Sequence, residues 1–229
     1  MNMMDDPLYN FDRETRNVVE YSLGNVAVVH IADLNMLYTA IKASLKNLKK
    51  ELDKQSVPKS SLGYRKELFN EVLNKMRQTA LVGMFHLWLR NLQEFLAISG
   101  DAINDKKFIM LDKGYEFTLG LFQTDKTLAQ YIPILIKYGC LANAIKHGLG
   151  NSFDKLKCNY NEFLYPPTEY NETVIINGEK TEVLSVDAPY VLEKHIDEFY
   201  ITAKNFWQNI PEKLVIDFTE KIPKRVIKA

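Results

Sequence analysis

Between Cys140 and Gly148 the chain reads Cys-Leu-Ala-Asn-Ala-Ile-Lys-His-Gly, and Cys140, Asn143 and His147 recur at i, i+3 and i+7. On a helix that spacing puts a thiol, an amide and an imidazole on one face. The face ends beside the helix's last carbonyls, where the dipole favours positive charge, and an imidazole can gain or lose a proton near neutral pH. Lys146 adds an ammonium about 100° around the helix from His147. The same residues have a plainer use, because Asn and His just ahead of a glycine can close a helix by bonding its last carbonyls.

The other chemistry-bearing residues are more scattered. Ser152-Phe153-Asp154-Lys155 fits the Ser-x-x-Lys of serine β-lactamase-like enzymes, but the Ser-Asp-Asn and Lys-Thr-Gly companions do not occur. His30, His86 and His195 lie far apart and form no HExxH pair, so no metal site is read. His86, in Phe85-His86-Leu87-Trp88, reads as a histidine at the edge of a core. Neither GxxxxGK[ST] nor GxGxxG is present, so no nucleotide cofactor is implied. A basic run carries Lys42, Lys46, Lys49, Lys50, Lys54, Lys59, Arg65 and Lys66 against Glu51 and Asp53. Such a run is most simply a solvated face; lying beside His147, it would contact phosphates.

Twenty-nine Lys and Arg balance twenty-nine Asp and Glu over 229 residues, so no global field draws the chain to nucleic acid or an anionic membrane. With 46% hydrophobic and 25% charged residues the composition is that of a globular protein. The start is acidic and no run of eighteen apolar residues occurs, so a cytoplasmic protein without a membrane partner is expected. In that compartment Cys140 and Cys158 are free thiols and the Asn171-Glu172-Thr173 sequon is silent.

The elements that must position these residues follow from periodicity. A long helix is expected over about 15–54, with Leu34, Leu37, Ile41, Leu45, Leu48 and Leu52 on one face and a possible break at Gly24. A turn at Pro58 leads to a second helix over about 62–98, burying Leu68, Val72, Met76, Leu81, Phe85, Leu89, Leu92 and Leu96. The two form an antiparallel hairpin. A short helix is placed within 101–124, then a helix over about 125–147 kinked at Pro133, then a short one capped by Ser152 and reaching Cys158. Asn177-Gly178 between β-branched runs predicts one β-hairpin over about 173–186. A last helix starts at an Asp187 cap with Pro189 in its first turn and carries Leu192, Ile196, Phe199, Ala203, Phe206 and Ile210 inward. The expectation is one mainly α domain over 1–229, a bundle of about 15–158 with the hairpin and last helix, about 166–212, packed on it.

Asn-x-x-x-His-Gly closing a helix in a long-hairpin bundle resembles the signature of the HEPN superfamily, helical bundles that include toxin and antiviral ribonucleases. The family's motif is an arginine, then a polar residue, three more residues and a histidine. The polar residue falls on Asn143 and the histidine on His147, while the arginine position falls on Ala142. The chain also resembles an uncharacterised bacterial group in Asn-Ala-Ile-Lys-His-Gly, in Gly150-Asn151-Ser152, and in Phe206-Trp207 running to Pro211. The resemblance implies a HEPN-like bundle and a homodimer whose protomers share a metal-independent site. Cleavage there needs an imidazole to move protons around the RNA 2′-hydroxyl and a cation for the phosphate. Ala142 supplies no charge, so the reading is a degenerate module of bacterial defence or toxin–antitoxin type. It would engage RNA, a nucleotide or a protein through Asn143, Lys146, His147 and Ser152. The alternatives are an active endoribonuclease using His147, with Lys146 for the cation, and a purely structural protein.

Overall fold

The computed structural model describes residues 18–22, 26–54, 62–100, 114–120, 122–123, 125–164, 173–176, 179–182, 189–210 and 213–217. It is mainly helical. Strand β1 (Val18–Ser22) leads into α1 (Val26–Lys54) and α2 (Leu62–Gly100). Then follow α3 (Gly114–Gly120), α4 (Lys126–Ala129), α5 (Ile132–His147), α6 (Asn151–Asn159) and a 3-10 turn at Asn161–Phe163. Strands β2 (Thr173–Ile176) and β3 (Glu179–Glu182) precede α7 (Glu193–Gln208) and β4 (Lys213–Asp217).

Side-chain pairs fix how the long helices run. Lys49 of α1 meets Glu193 and Tyr38 stacks on Tyr200 at 3.9 Å, while His30 lies on Trp207 at 4.6 Å, so α1 and α7 are antiparallel. Arg77 of α2 approaches Glu193 at 3.6 Å and Phe95 meets Trp207 at 5.8 Å, which makes α2 parallel to α7. Tyr131, at the N-cap of α5, accepts a bond from Asn209 and Tyr138 meets Phe199, so α5 runs against α7. Helices α1 and α5 therefore descend on either side of an ascending α2–α7 pair. Trp88, Trp207, Phe85, Phe199 and Phe206 fill the space between them. Burying each such side chain contributes about 1.5–3 kcal/mol.

The hydrophobic stripe of α1 is where the periodicity puts it at Leu34, Ile41 and Leu45, all buried. That of α2 is displaced. Leu68 is 48% exposed and Val72 is also exposed, whereas Leu73, Met84, Trp88 and Phe95 join Leu81, Phe85 and Leu92 in the core. At the level of Asn74 and Gln78 the partner of α2 is backbone. Asn74 accepts from Val191 N–H at 2.8 Å and Gln78 donates to the Pro189 carbonyl at 2.5 Å. Two buried amides thus satisfy the chain entering α7.

Four boundaries differ from expectation. Residues 18–22 are strand, and α1 starts at Val26 rather than near 15. The β-branched Val18 and Val19 take an extended form because β4 pairs with them, Val18 opposite Asp217 and Ser22 opposite Lys213. Pro133 stands in the first turn of α5 instead of kinking a longer helix, because Asp125 caps a separate α4 through Thr127 and Leu128 N–H. Helix α7 starts at Glu193, with Pro189 ahead of it and its carbonyl taken by Gln78. Ser152 lies in the first turn of α6, whose N-cap is Gly150. Strands β2 and β3 run antiparallel, Thr173 opposite Glu182 and Ile176 opposite Glu179. The Asn177-Gly178 turn, the Asp187 cap and the Pro58 turn lie outside the described residues. Among those residues no helix is long and apolar enough to cross a membrane.

Candidate functional site

Helix α5 continues through His147, and its closure does not use the imidazole. Gly148 N–H bonds the Ala144 carbonyl at 2.9 Å, with Gly148 at φ +69°, a left-handed conformation that other residues adopt at a cost. Among the described residues no hydrogen bond or ion pair engages the side chains of Asn143, Lys146 or His147. Lys146 and His147 are exposed and Asn143 is half-buried, and Leu149 beyond them is 84% exposed. Ala142 is 0% exposed. It lies about 140° around the helix from His147, so the motif's arginine position faces the core while its histidine faces solvent.

Cys140, which shares the spacing of Asn143 and His147, is a packing residue. Its thiol donates to the Ser152 carbonyl at 3.1 Å, and burial pushes its pKa up to about 11, which keeps it a neutral donor. This bond ties the start of α6 beside Cys140, about 10 Å back along α5 from His147. Ser152 is therefore level with the thiol.

What α2 adds is a second imidazole. His86 is half-buried, its Nε2 is buried without a partner among the described residues, and it sits edge-on to Phe85 at 5.8 Å. Its pKa is lowered, first by burial and then by the positive charges of Lys146 and His147. The packing of α2 on α5 thus brings His86 within electrostatic reach of Lys146 and His147. Nothing in sequence spacing links residue 86 to residue 147; only the packing of α2 on α5 does.

The basic run of α1 is placed elsewhere. Lys42 pairs with Asp197 at 3.0 Å and reaches Glu193 at 3.5 Å, and Lys49 pairs with Glu193 as well. Tyr38 donates to Asp197 at 2.9 Å. The Lys49 ammonium, reinforced by Lys42 and Arg77, holds the Glu193 carboxyl below its ordinary pKa in spite of its burial. Lys42 and Lys49 neutralise α7; Lys46 and Lys50 remain exposed on α1, across the α2–α7 pair from α5. On its other side α7 receives Lys137 on Glu198 at 3.1 Å and the Tyr138 hydroxyl on the same carboxylate at 2.5 Å.

Among the described residues no group of three or more His, Cys, Asp or Glu is arranged to hold a metal ion, and both cysteines are free thiols. Comparison with protein-family models, with curated proteins and with solved structures found no match to this chain. The arrangement can offer phosphate oxygens the exposed ammonium of Lys146 and imidazole of His147 at the open end of α5, with the amide of Asn143 on the preceding turn.

Proposed function

We propose that the chain is a HEPN-like, catalytically degenerate bundle of a cytoplasmic defence or toxin–antitoxin system that binds single-stranded RNA without cutting it. The observation that carries this reading is the split between an exposed, unengaged Lys146 and His147 and a fully buried Ala142. The first pair is free to meet a phosphodiester. The second leaves the motif with no cation to stabilise a pentavalent phosphate, and a lysine's compact ammonium does not reproduce arginine's fork. His86, half-buried, borders that binding surface.

Active cleavage is kept as the second reading because His86 provides a second imidazole beside His147. One imidazole would take the 2′-hydroxyl proton while the other protonates the leaving 5′-oxygen. The test is incubation of RNA with the protein in EDTA, following both retention and cleavage, with His147→Ala and His86→Gln in parallel. Retention that weakens with salt, with no cleavage, is the outcome the reading requires. Cleavage lost in His147→Ala establishes the active enzyme instead, and neither retention nor cleavage leaves a purely structural bundle. The HEPN-like reading also carries a homodimer, which light scattering at tens of micromolar checks.

A further inference from the structure

At the opposite end of α7 from its ion pairs, the start of α1 meets the last turn of α7 through an imidazole and an indole. His30 is 7% exposed and Trp207 1% exposed, with ring planes inclined at 44°. Both ring nitrogens of His30 and the Nε1 of Trp207 are buried without a hydrogen-bond partner among the described residues. Leaving a buried polar atom unpaired costs free energy that a phenyl ring of similar size would not incur. A histidine kept at such a cost is explained if another protonation state uses it.

The surroundings define that state. Burial lowers the pKa of His30, and the charged groups that act on it are Asp33, one turn along α1, and Glu94 on α2, both of which favour the imidazolium. On α7 the His30 ring meets the neutral Trp207 ring, and the charged Lys204, one turn back, lies over the Tyr200 ring at 5.7 Å. Glu94 holds Arg90 at 3.4 Å in an exposed pair, and Asp33 makes no ion pair among the described residues. Immediately beyond the His30–Trp207 contact, β1 enters α1 and β4 follows α7, and these two strands pair from Ser22 and Lys213 outward.

We propose that His30 is a proton-operated latch: on protonation it leaves the Trp207 ring for the carboxylates of Asp33 and Glu94, parting α7 from α1 and releasing the β1–β4 ribbon. Asp33 at i+3 is within reach of the swung-out side chain. The direction follows from linkage. The open form binds the proton more readily than the closed one, so opening gains as pH falls below the ordinary histidine value of 6.5. Each further pH unit multiplies the open fraction by up to about ten until the closed form is itself protonated.

Hydrogen exchange on the full chain between about pH 7 and pH 5, expressed as protection factors, tests the latch, with the His30 imidazole followed by NMR in the same samples. Protection of amides in 18–22 and 213–217 is expected to fall several-fold, with the midpoint of the His30 titration, while amides of the buried middle of α2 change only as global stability, measured by urea denaturation at the same pH, changes. In His30→Phe the ribbon stays protected throughout. Ribbon protection that is constant to pH 5 in the unmodified chain, or that falls equally in His30→Phe, overturns the proposal. Should His30→Phe not fold, the coincidence or mismatch of the two midpoints in the unmodified chain decides alone.

Discussion

Replacing His195 by glutamine should remove a pH dependence of stability without removing the bond that makes this histidine useful. His195 is buried in the first turn of α7, edge-on to Phe163 at 4.9 Å, and its Nδ1 accepts the Leu192 N–H at 3.1 Å. A proton on Nδ1 would confront that N–H and sit at the positive end of the helix. Burial, followed by Lys194 and Lys137, accordingly pushes the pKa from 6.5 down to about 4, against the opposing pull of Glu198. The unfolded chain binds the proton first, so stability is full above pH 6.5 and declines as the pH falls toward 4. The change amounts to about 2 kcal/mol between pH 7 and pH 5 and about 3 kcal/mol in full. Glutamine at the third helical position can still accept the Leu192 N–H and does not titrate. Urea denaturation of both proteins at pH 7, 6 and 5 measures the difference, and contributions from His30 and His86 cancel in the comparison. Equal losses in the two proteins would refute the assignment.

Three further outcomes follow from packing and exposure. Gly139→Ala would drive its Cβ into the Tyr115 ring and within 2.8 Å of Phe85 Cζ, so thermal melts should show a loss of about 1–3 kcal/mol. Ala142→Arg buries a guanidinium where the side chain is wholly enclosed; it should lower stability by about 3 kcal/mol or more and create no ribonuclease, as denaturation and an RNA assay would show. Native protein treated with a maleimide should gain one adduct, at exposed Cys158, and a second only after unfolding, because Cys140 is buried and its thiol raised to about 11; mass spectrometry reads both.

What periodicity could see was the local half of this fold. The stripe of α1 at Leu34, Ile41 and Leu45 is written in one helix and survives in the structure. The ribbon of β1 and β4 is not local: Val18 and Asp217 are brought opposite one another by the antiparallel course of α1 and α7, and five-residue strands take their conformation largely from the partner. Leu68 and Val72 read as core because they continue a stripe, yet the neighbour of α2 at the next turn is backbone, which favours Asn74 and Gln78 inside. The functional residues divide in the same way. The exposure of Lys146 and His147 at the end of α5 follows from a helix running to a glycine, whereas the approach of His86 and the capture of Lys42 and Lys49 by α7 are products of packing.

The location of RNA on the protein is the most direct measure of the central claim. Imidazole and amide resonances followed by NMR during titration with a short single-stranded RNA in EDTA report every histidine and both lysine groups at once. The proposed function predicts that His86 and His147 shift together with the amides of residues 143–147, while His195 and the amides around Lys46 and Lys50 stay in place and the RNA remains intact. Shifts centred on Lys46 and Lys50, or no shift at His86 and His147 at RNA concentrations up to about a millimolar, the weak end of specific binding, would contradict it.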